Sequence, residues 1–358
     1  MKVYLQYPWK FPDSPYYKYL IQSPPQGIEY LNIEKQKGVI TSKSFFWFSN
    51  FLKRNIRRFT SLFNLSIPNT HLSPSGDYDL IHCAHCLSKN TDKPWVADIE
   101  ILWSMWISGR ESLLGREKVK KILLNKNCRK IMPWTERTKE DILRVFPEIK
   151  EKIEVVYPTV QTKKIIRKKN KEIVIIFSGR YFYSKGGLHS LEAIDILTKK
   201  YPNVKAIFNS DVPKELIKKY SKNKKITFYS LIPQKKLFEL YNQSNILIYP
   251  GYSDSFGFAY LEAMSFGIPS ITVDGFARKE IIENEKTGFV IEKDSEIDPG
   301  KENKLIVSNI VEKASILIQN RKKLSLMSKN CLEEIKNGKF SIKERNRKLK
   351  KIYEEAIK

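Results

Sequence analysis

The sequence predicts an α/β protein with two domains, each built around a doubly wound parallel sheet. From residue 173 onward, short apolar runs alternate with amphipathic helical stretches, which is the pattern of parallel strands joined by helical crossovers. The apolar runs do not alternate with polar residues, as expected for strands that helices cover on both faces. The 358 residues and the 41% hydrophobic content are sufficient for two hydrophobic cores.

The chain is strongly basic, with 64 Lys and Arg residues against 39 Asp and Glu residues and a net charge of +25. Such a charge attracts nucleic acids, anionic membrane surfaces and phosphorylated small molecules. No apolar run reaches the roughly 18 residues of a membrane-spanning helix, and residues 1–8 have the pattern of a first strand, not of a signal peptide. We therefore expect a cytoplasmic protein, in which any membrane contact is peripheral and on the inner face.

We place the first domain at residues 1–160, a charged linker at 161–171 and the second domain at 172–340. In the first domain, residues 1–8 predict a strand, and the Pro- and Tyr-rich stretch 11–27 predicts an irregular loop. The other elements predicted there are strands 78–82, 93–103, 130–134 and 153–158 and helices 116–125 and 135–145.

Residues 44–63 combine aromatic and basic side chains. The apolar side chains recur at helical spacing, and most basic ones fall elsewhere on the turn. The segment is either a core-packed helix with a solvated basic side or an interfacial helix on anionic lipid. The apolar positions are Phe45, Phe48, Leu52, Ile56, Phe59 and Phe63, and the basic ones are Lys53, Arg54, Arg57 and Arg58.

Two short motifs in the first domain have the appearance of metal sites. Cys83 and Cys86 form a lone C-x-x-C, which lacks the second ligand pair of a structural zinc site. Asp77 and Asp79 form a D-x-D, but they precede the strand instead of following it, so we interpret them as turn residues. We predict no metal site and no cofactor.

The second domain contains the stretch with the clearest functional signal, residues 246–271. It predicts strand, loop, helix, turn and strand, with Asp254 in the loop and Glu262 inside an otherwise apolar helix. Asp254 is either a helix cap or, with Glu262, a ligand of a polyhydroxylated molecule. The elements predicted for this domain are strands 173–178, 205–209, 226–229, 245–249 and 270–273 and helices 188–199, 213–220, 234–243 and 258–266.

A second polar turn follows strand 173–178 and contains a Gly-Arg pair and a Lys-Gly-Gly. This turn and the 246–271 stretch together resemble the retaining GT-B glycosyltransferases of family 4, in which a G-R-x4-K-G turn binds the donor diphosphate and an E-x7-E segment binds the sugar and ribose. The second segment has Asp where the family usually has Glu, so its first carboxylate is one methylene shorter. The matching residues are Gly179, Arg180, Lys185 and Gly186, then Asp254 and Glu262 with Phe256 and Gly257 between them.

The resemblance implies a GT-B fold, in which two Rossmann-like domains face a central cleft and the last helix, 341–358, crosses back to the first domain. It also assigns roles. Arg180 and Lys185 would bind the donor diphosphate, Asp254 the transferred sugar and Glu262 the ribose, while the backbone near Ile232 would hold the base. The backbone N–H groups expected at the diphosphate belong to Ser255, Phe256, Gly257 and Phe258.

The implied reaction is transfer of a sugar from a nucleotide-diphosphate donor, UDP or GDP by expectation, to a glycan or lipid-linked acceptor. The anomeric configuration would be retained and no metal would be required. In the first domain the family often has a His on a strand after a proline. Glu100 occupies that position here, with Asp98 two residues earlier on the same side, and His85 is the competing candidate.

Two alternatives remain at this point. One is a phosphorylase or epimerase of the same fold, although no lysine is marked as a Schiff-base residue. The other is a basic nucleic-acid- or membrane-binding protein with a degenerate transferase site. The Lys residues are spread along the chain and no recognition motif is present, so we expect no specific nucleic-acid partner.

Overall fold

We analyse a computed structural model of the chain, which describes residues 1–6, 15–33, 51, 55, 66–90, 92–107, 112–163, 172–230 and 232–358. Most of the predicted 44–63 helix and most of the 161–171 linker lie outside the described residues. The chain forms two compact units, Met1–Thr159 with Ile342–Lys358 and Val160–Ser341. Within the described part of the chain, every helix is too short or too polar to cross a membrane.

The strands are numbered in chain order. In the first unit they are β1 (Lys2–Gln6), β2 (Glu29–Leu31), β3 (Thr70–His71), β4 (Leu80–Ala84), β5 (Leu87–Ser88), β6 (Trp95–Ile99) and β7 (Cys128–Pro133). In the second unit they are β8 (Ile173–Ser178), β9 (Val204–Asn209), β10 (Ile226–Tyr229), β11 (Ile246–Ile248), β12 (Ser270–Val273) and β13 (Gly288–Ile291).

The helices are numbered in the same way. The first three are α1 (Pro15–Gln22), α2 (Leu113–Leu124) and α3 (Glu136–Val145). The second unit contains α4 (Gly187–Lys200), α5 (Lys214–Tyr220), α6 (Gln234–Gln243), α7 (Phe258–Ser265), α8 (Arg278–Ile281), α9 (Lys304–Gln319) and α10 (Arg321–Lys336). The last helix is α11 (Ile342–Ala356), and short 3-10 helices span Leu102–Met105 and Pro147–Lys152.

The first unit is built on a parallel sheet with strand order β2-β1-β4-β6-β7, beside a small β3-β5 pair. The chain moves from β1 to β2 on one side and then to β4 on the other, so the strand order reverses between β1 and β4. In an open α/β sheet the carboxyl ends at such a reversal form the crevice where ligands bind. The carboxyl ends of β1 and β4 therefore mark the crevice of this sheet.

Two predictions for the first unit are wrong. The predicted loop 11–27 contains helix α1, because Tyr16, Tyr19 and Leu20 share a face that is buried in the core. The predicted strand 153–158 makes only one bridge, at Ile153. The N–H of Val156 donates to the carbonyl of Pro133 at 3.0 Å, but a proline has no N–H to donate in return, so a regular ladder does not form.

The second unit is built on a parallel sheet with strand order β10-β9-β8-β11-β12-β13. The order reverses between β8 and β11, which is the topological switch point of this sheet. Strands β8, β10 and β12 and helix α6 have the bounds that the sequence predicts. The predicted parallel, doubly wound arrangement is thus confirmed in the unit that contains the proposed donor motifs.

Helix α11 belongs to the first unit, where it buries Leu349, Ile352 and Tyr353. The buried guanidinium of Arg345 donates from Nη1 to the hydroxyl of Thr159 at 3.0 Å and from Nη2 to the carbonyl of Ser23 at 2.6 Å. Apolar packing and these hydrogen bonds together attach α11 to the first unit.

Candidate functional site

The two turns singled out in the sequence meet at the switch point of the second sheet. One turn joins β8 to α4 and the other joins β11 to α7, and β8 and β11 are neighbouring strands. The N–H of Gly251 donates to the carbonyl of Lys185 at 3.0 Å, and the N–H of Ser253 donates to the carbonyl of Ser184 at 3.1 Å. Backbone hydrogen bonds therefore fix the two turns against each other.

Glycines permit this close approach. A Cβ on Gly179 would lie 2.9 Å from the ring of Tyr249, and a Cβ on Gly186 would lie 2.5 Å from the Cβ of Pro250. Gly186 also has a φ of +82° at the start of α4, a conformation that side-chain-bearing residues avoid. Steric fit thus explains why glycine occupies these positions of the Gly-Arg and Lys-Gly pairs, because a side chain there would collide with the other turn.

The side chain of Asp254 joins two partly or fully buried groups, Lys185 and Tyr249. Lys185 Nζ forms an ion pair with Asp254 Oδ1, and the hydroxyl of Tyr249 donates to Asp254 Oδ2 at 2.6 Å. Burial raises the pKa of Tyr249 well above its usual range, and the negative charge of Asp254 raises it further. The phenol therefore keeps its proton and remains a hydrogen-bond donor. The capping interpretation of Asp254 is wrong, because the residue before α7 is Gly257, with a φ of +88°, and no side chain caps the helix.

Arg278 is a site residue that the sequence analysis missed. Its side chain is buried, and its Nη1 donates to the carbonyl of Asp254. Among the residues that the structure describes, no carboxylate pairs with this guanidinium, and its Nε has no hydrogen-bond partner. Burial raises the pKa of Tyr260 to about 12, against an opposing effect of Arg278. No sequence pattern relates Arg278 to Asp254, which precedes it by 24 residues.

Glu262 lies on α7 and is almost fully buried. Gln234 Nε2, at the start of α6, lies 3.4 Å from Glu262 Oε1, and Ile232 is in the short turn immediately before α6. The predicted ribose and base positions therefore belong to adjacent elements. Arg180 is half-buried in the β8–α4 turn. Of the predicted backbone donors, Phe258 begins α7 and the residues just before it are Ser255, Phe256 and Gly257.

A buried histidine holds the β11–α7 turn from a second side. His189 Nδ1 lies 2.7 Å from the hydroxyl of Tyr252, and His189 Nε2 lies 2.8 Å from the carbonyl of Lys301. A carbonyl only accepts, so Nε2 carries the proton and Nδ1 accepts from Tyr252. Burial lowers the pKa of His189, consistent with a neutral ring.

In the first unit, His85 lies just after β4, at the edge of the switch point of that sheet. Its φ of +52° is unusual for a residue with a side chain. The carboxylate of Asp98 faces it: Oδ1 accepts from the His85 N–H at 3.3 Å and lies 3.5 Å from His85 Nδ1. Oδ2 of the same carboxylate lies 2.9 Å from Nε2 of the buried His82.

Glu100 follows β6, which is one strand farther than β4 from the reversal of strand order between β1 and β4. It is half-buried, and its backbone carbonyl accepts from the hydroxyl of Thr138 at 2.8 Å. The structure brings Asp98 to His85 but does not place Glu100 at the β1–β4 switch point. The thiols of Cys83 and Cys86 are buried and free, and both face Gln6.

Comparison with known proteins gives a family match for part of the chain. Residues 160–324 match the family Glycosyl transferases group 1. The phosphatidylinositol N-acetylglucosaminyltransferase GPI3 subunit of Saccharomyces cerevisiae (strain YJM789) is 23% identical over 195 residues, which cover 52% of this chain and 43% of the yeast protein. The chain thus spans less than half the length of this curated relative.

Two solved structures are similar over nearly the whole chain. A glycosyltransferase from Rickettsia africae ESF-5 has a TM-score of 0.64 at 16% identity and covers 100% of this chain and 98% of its own. HepE of Anabaena, solved in complex with UDP, has a TM-score of 0.64 at 14% identity and covers 98% of this chain and 99% of its own. These likenesses confirm the predicted fold class, GT-B with parallel α/β sheets.

Proposed function

We propose that this protein is a glycosyltransferase that moves a sugar from a nucleotide-diphosphate donor to a glycan or lipid-linked acceptor, with retention of the anomeric configuration. The observation that supports this most is the junction of two strand-to-helix turns at the switch point of the second sheet, where Lys185 pairs with Asp254. The family match of residues 160–324 supports the same class of reaction. UDP or GDP is the expected nucleotide, and UDP is the nucleotide bound in the HepE structure.

The residues of the second unit supply the charge that the reaction requires. When the bond between the sugar C1 and the donor oxygen breaks, negative charge develops on the diphosphate. Lys185 and Arg180 stabilise that charge, with help from N–H groups at the start of α7. These cations and N–H donors can neutralise the charge on the diphosphate by themselves. We therefore propose that transfer needs neither a metal ion nor another cofactor. Glu262 binds the ribose hydroxyls, and the backbone at Ile232 contacts the base.

The Lys185–Asp254 ion pair suggests how the donor is accommodated. A diphosphate near Lys185 competes with Asp254 for the ammonium group, since opposite charges at contact interact strongly in a partly buried site. Tyr249 continues to donate to Asp254 Oδ2, so Asp254 Oδ1 becomes available to accept from a sugar hydroxyl. In this exchange the same pair binds the diphosphate through its cation and the sugar through its anion.

For the acceptor we propose the switch point of the first sheet, with His85 as the polar group there in preference to Glu100. Asp98 accepts from the backbone N–H of His85 and its carboxylate faces the ring at 3.5 Å, whereas Glu100 follows the next strand. The acceptor oxygen bonds to the sugar C1, and its proton passes to a phosphate oxygen of the donor. A lipid-linked acceptor places the protein at the inner face of a membrane, which is the location that we propose.

A nucleotide-binding screen tests the donor assignment. The full chain is heated with UDP, GDP, ADP or CMP in the presence of EDTA, and the midpoint of unfolding is recorded. One diphosphate should raise the midpoint, because a ligand at 100 times its Kd adds about 2.7 kcal/mol to the free energy of unfolding. Lys185→Ala should weaken that ligand about 10- to 100-fold, the effect of one charged hydrogen bond.

Lys199→Ala is the matched control for this screen. Lys199 lies on the same helix, α4, but is exposed and pairs with Asp195 on the surface. Its removal should leave the nucleotide affinity unchanged. Failure of every nucleotide to shift the midpoint, or equal affinities in Lys185→Ala and the wild type, would contradict the donor assignment. Where a donor sugar and acceptor are found, the anomeric proton coupling of the product distinguishes retention from inversion.

A further inference from the structure

Helix α2 (Leu113–Leu124) begins with the two most exposed large apolar side chains among the described residues. Leu113 and Leu114 are 81% and 77% exposed and occupy the first two positions of the helix. The hydroxyl of Ser112 caps this turn by accepting from the Gly115 N–H at 3.1 Å. The Ser112 N–H donates to the hydroxyl of Ser66 at 3.2 Å. Single exposed leucines are ordinary, but two adjacent leucines on an anchored turn form an apolar projection.

Two further exposed apolar side chains lie on segments bonded to this turn. Ile67 follows Ser66, and its carbonyl accepts from the Ile107 N–H at 2.9 Å. Trp103 lies in the 3-10 helix Leu102–Met105. Immediately after it, Trp106 Nε1 donates to the carbonyl of Gly115 at 3.2 Å. Exposed apolar side chains thus lie on three segments of this unit that hydrogen bonds connect.

Basic side chains continue from this projection along the helix. Leu114, Lys118 and Lys121 are spaced by four and three residues, so they lie along one face of α2. Lys118 and Lys121 are both exposed. The basic residues of α2 are Arg116, Lys118, Lys120 and Lys121, and its acidic residue is Glu117.

We propose that this α2 surface, formed by Leu113, Leu114, Lys118 and Lys121, docks on an anionic lipid bilayer. The two leucines insert at the level of the acyl-chain boundary, and the lysines extend their amino groups to the phosphate headgroups. A nucleic acid would use the lysines but would leave the leucines exposed to water. The net charge of +25 attracts the whole chain to the same surface. This inference concerns residues outside the predicted 44–63 segment and does not depend on the sugar-transfer proposal.

Vesicle flotation tests the proposal with the full chain and no nucleotide. Vesicles of phosphatidylcholine alone are compared with vesicles that also contain phosphatidylglycerol. The wild type should float with the anionic vesicles and much less with the neutral ones, and added salt should weaken the binding. L113Q/L114Q should reduce the apparent affinity for anionic vesicles at least about 10-fold, because two buried side chains are lost from the lipid contact.

The control is L305Q/L326Q, which removes two leucines of the second unit that are 59% and 60% exposed. Glutamine is a good helix former, so both double variants should keep the circular dichroism spectrum of the wild type. Equal loss of binding in both double variants, or unchanged binding in L113Q/L114Q, would overturn the proposal. Concentration-dependent self-association of the wild type in sedimentation velocity, absent in L113Q/L114Q, would assign the α2 surface to a second copy of the chain and would also overturn it.

Discussion

At the scale of single residues, Arg278 illustrates how a buried charge serves the candidate donor site. Its guanidinium holds the main-chain carbonyl of Asp254 while the Asp254 carboxylate is held by Lys185 and Tyr249. Backbone and side chain of the same aspartate are thus fixed independently. An unpaired buried cation is costly to stability, so a role in positioning the 250–257 turn is a physical reason for its presence.

We predict that Arg278→Met lowers the affinity for the bound nucleoside diphosphate about 10-fold without lowering the midpoint of thermal unfolding. The methionine fills a similar volume and removes the cost of burying the charge, but it no longer holds the carbonyl of Asp254. Calorimetric titration measures the affinity, and a thermal melt without nucleotide measures the stability. The neighbouring Lys279→Met is the control, because Lys279 is exposed and pairs with Asp274 and Glu292. Wild-type affinity in Arg278→Met would contradict the positioning role.

His189 should make the stability of the second unit depend on pH. Its pKa is lowered by burial in the folded protein, so the unfolded chain binds the proton more readily. The stabilisation is complete above the ordinary histidine pKa of about 6.5 and is lost as the pH falls below it. We expect the free energy of unfolding to fall more steeply between about pH 7.5 and 5.5 in the wild type than in His189→Gln. Urea titrations at a series of pH values measure this free energy for both proteins. Coinciding pH profiles of the wild type and His189→Gln would disprove the prediction.

At the scale of elements, the steric fit of the two turns can be tested at matched glycines. Gly186 and Gly27 have nearly the same φ, +82° and +80°, but only Gly186 faces another turn. Gly27→Ala should cost about 1–2 kcal/mol, the price of a left-handed conformation. Gly186→Ala should cost about 2 kcal/mol more, because its Cβ would meet Pro250. It should also weaken nucleotide binding. If urea unfolding shows that Gly186→Ala and Gly27→Ala destabilise the protein equally, close contact between the two turns is not needed for stability.

The elements that the sequence predicted well are those with a local signal. Strand β8 is a continuous apolar run followed by a glycine, and helix α6 has an apolar face and follows a proline, so their bounds were predicted as observed. Helix α1 was missed because the stretch 11–27 is rich in proline and tyrosine, as loops often are, and only burial of Tyr16 and Tyr19 in the core selects the helix. The bridge at Ile153 ends because of Pro133 on another strand, which no local pattern reveals.

In the candidate site, too, residues with a local sequence signal were predicted and residues that depend on distant contacts were not. The sequence identified Lys185 and Asp254 from their turns, but not that they pair with each other. Tyr249 and Arg278 complete the site through contacts across the fold, and neither has a distinctive motif. In the first unit the sequence left His85 and Glu100 open, and only the strand order separates them. Long-range partners therefore require the structure, whereas the two glycine-containing turns after β8 and β11 can be found from the sequence alone.

At the scale of the whole molecule, the first unit contains both ends of the chain, whereas the second unit is one continuous stretch of sequence. The first unit is completed by α11, from the other end of the sequence. The hydroxyl of Tyr353 on α11 lies 2.7 Å from His82 Nδ1 and 3.0 Å from the hydroxyl of Tyr30. Because His82 also contacts Asp98, α11 supports the same carboxylate that holds His85. The second unit, Val160–Ser341, is continuous in sequence and does not include this helix.

We therefore predict that deletion of residues 342–358 destabilises the first unit selectively. The loss of buried Leu349, Ile352 and Tyr353 should cost about 5 kcal/mol, which lowers the unfolding temperature of that unit by roughly 10–20 °C. In calorimetry, the transition that shifts with nucleotide identifies the second unit and should stay in place. Tyr353→Phe, which removes only the hydroxyl, should cost about 1–3 kcal/mol, and Glu354→Ala on the exposed face should cost little. A single transition that moves as a whole in the deletion variant would show that the two units unfold together and that α11 stabilises both.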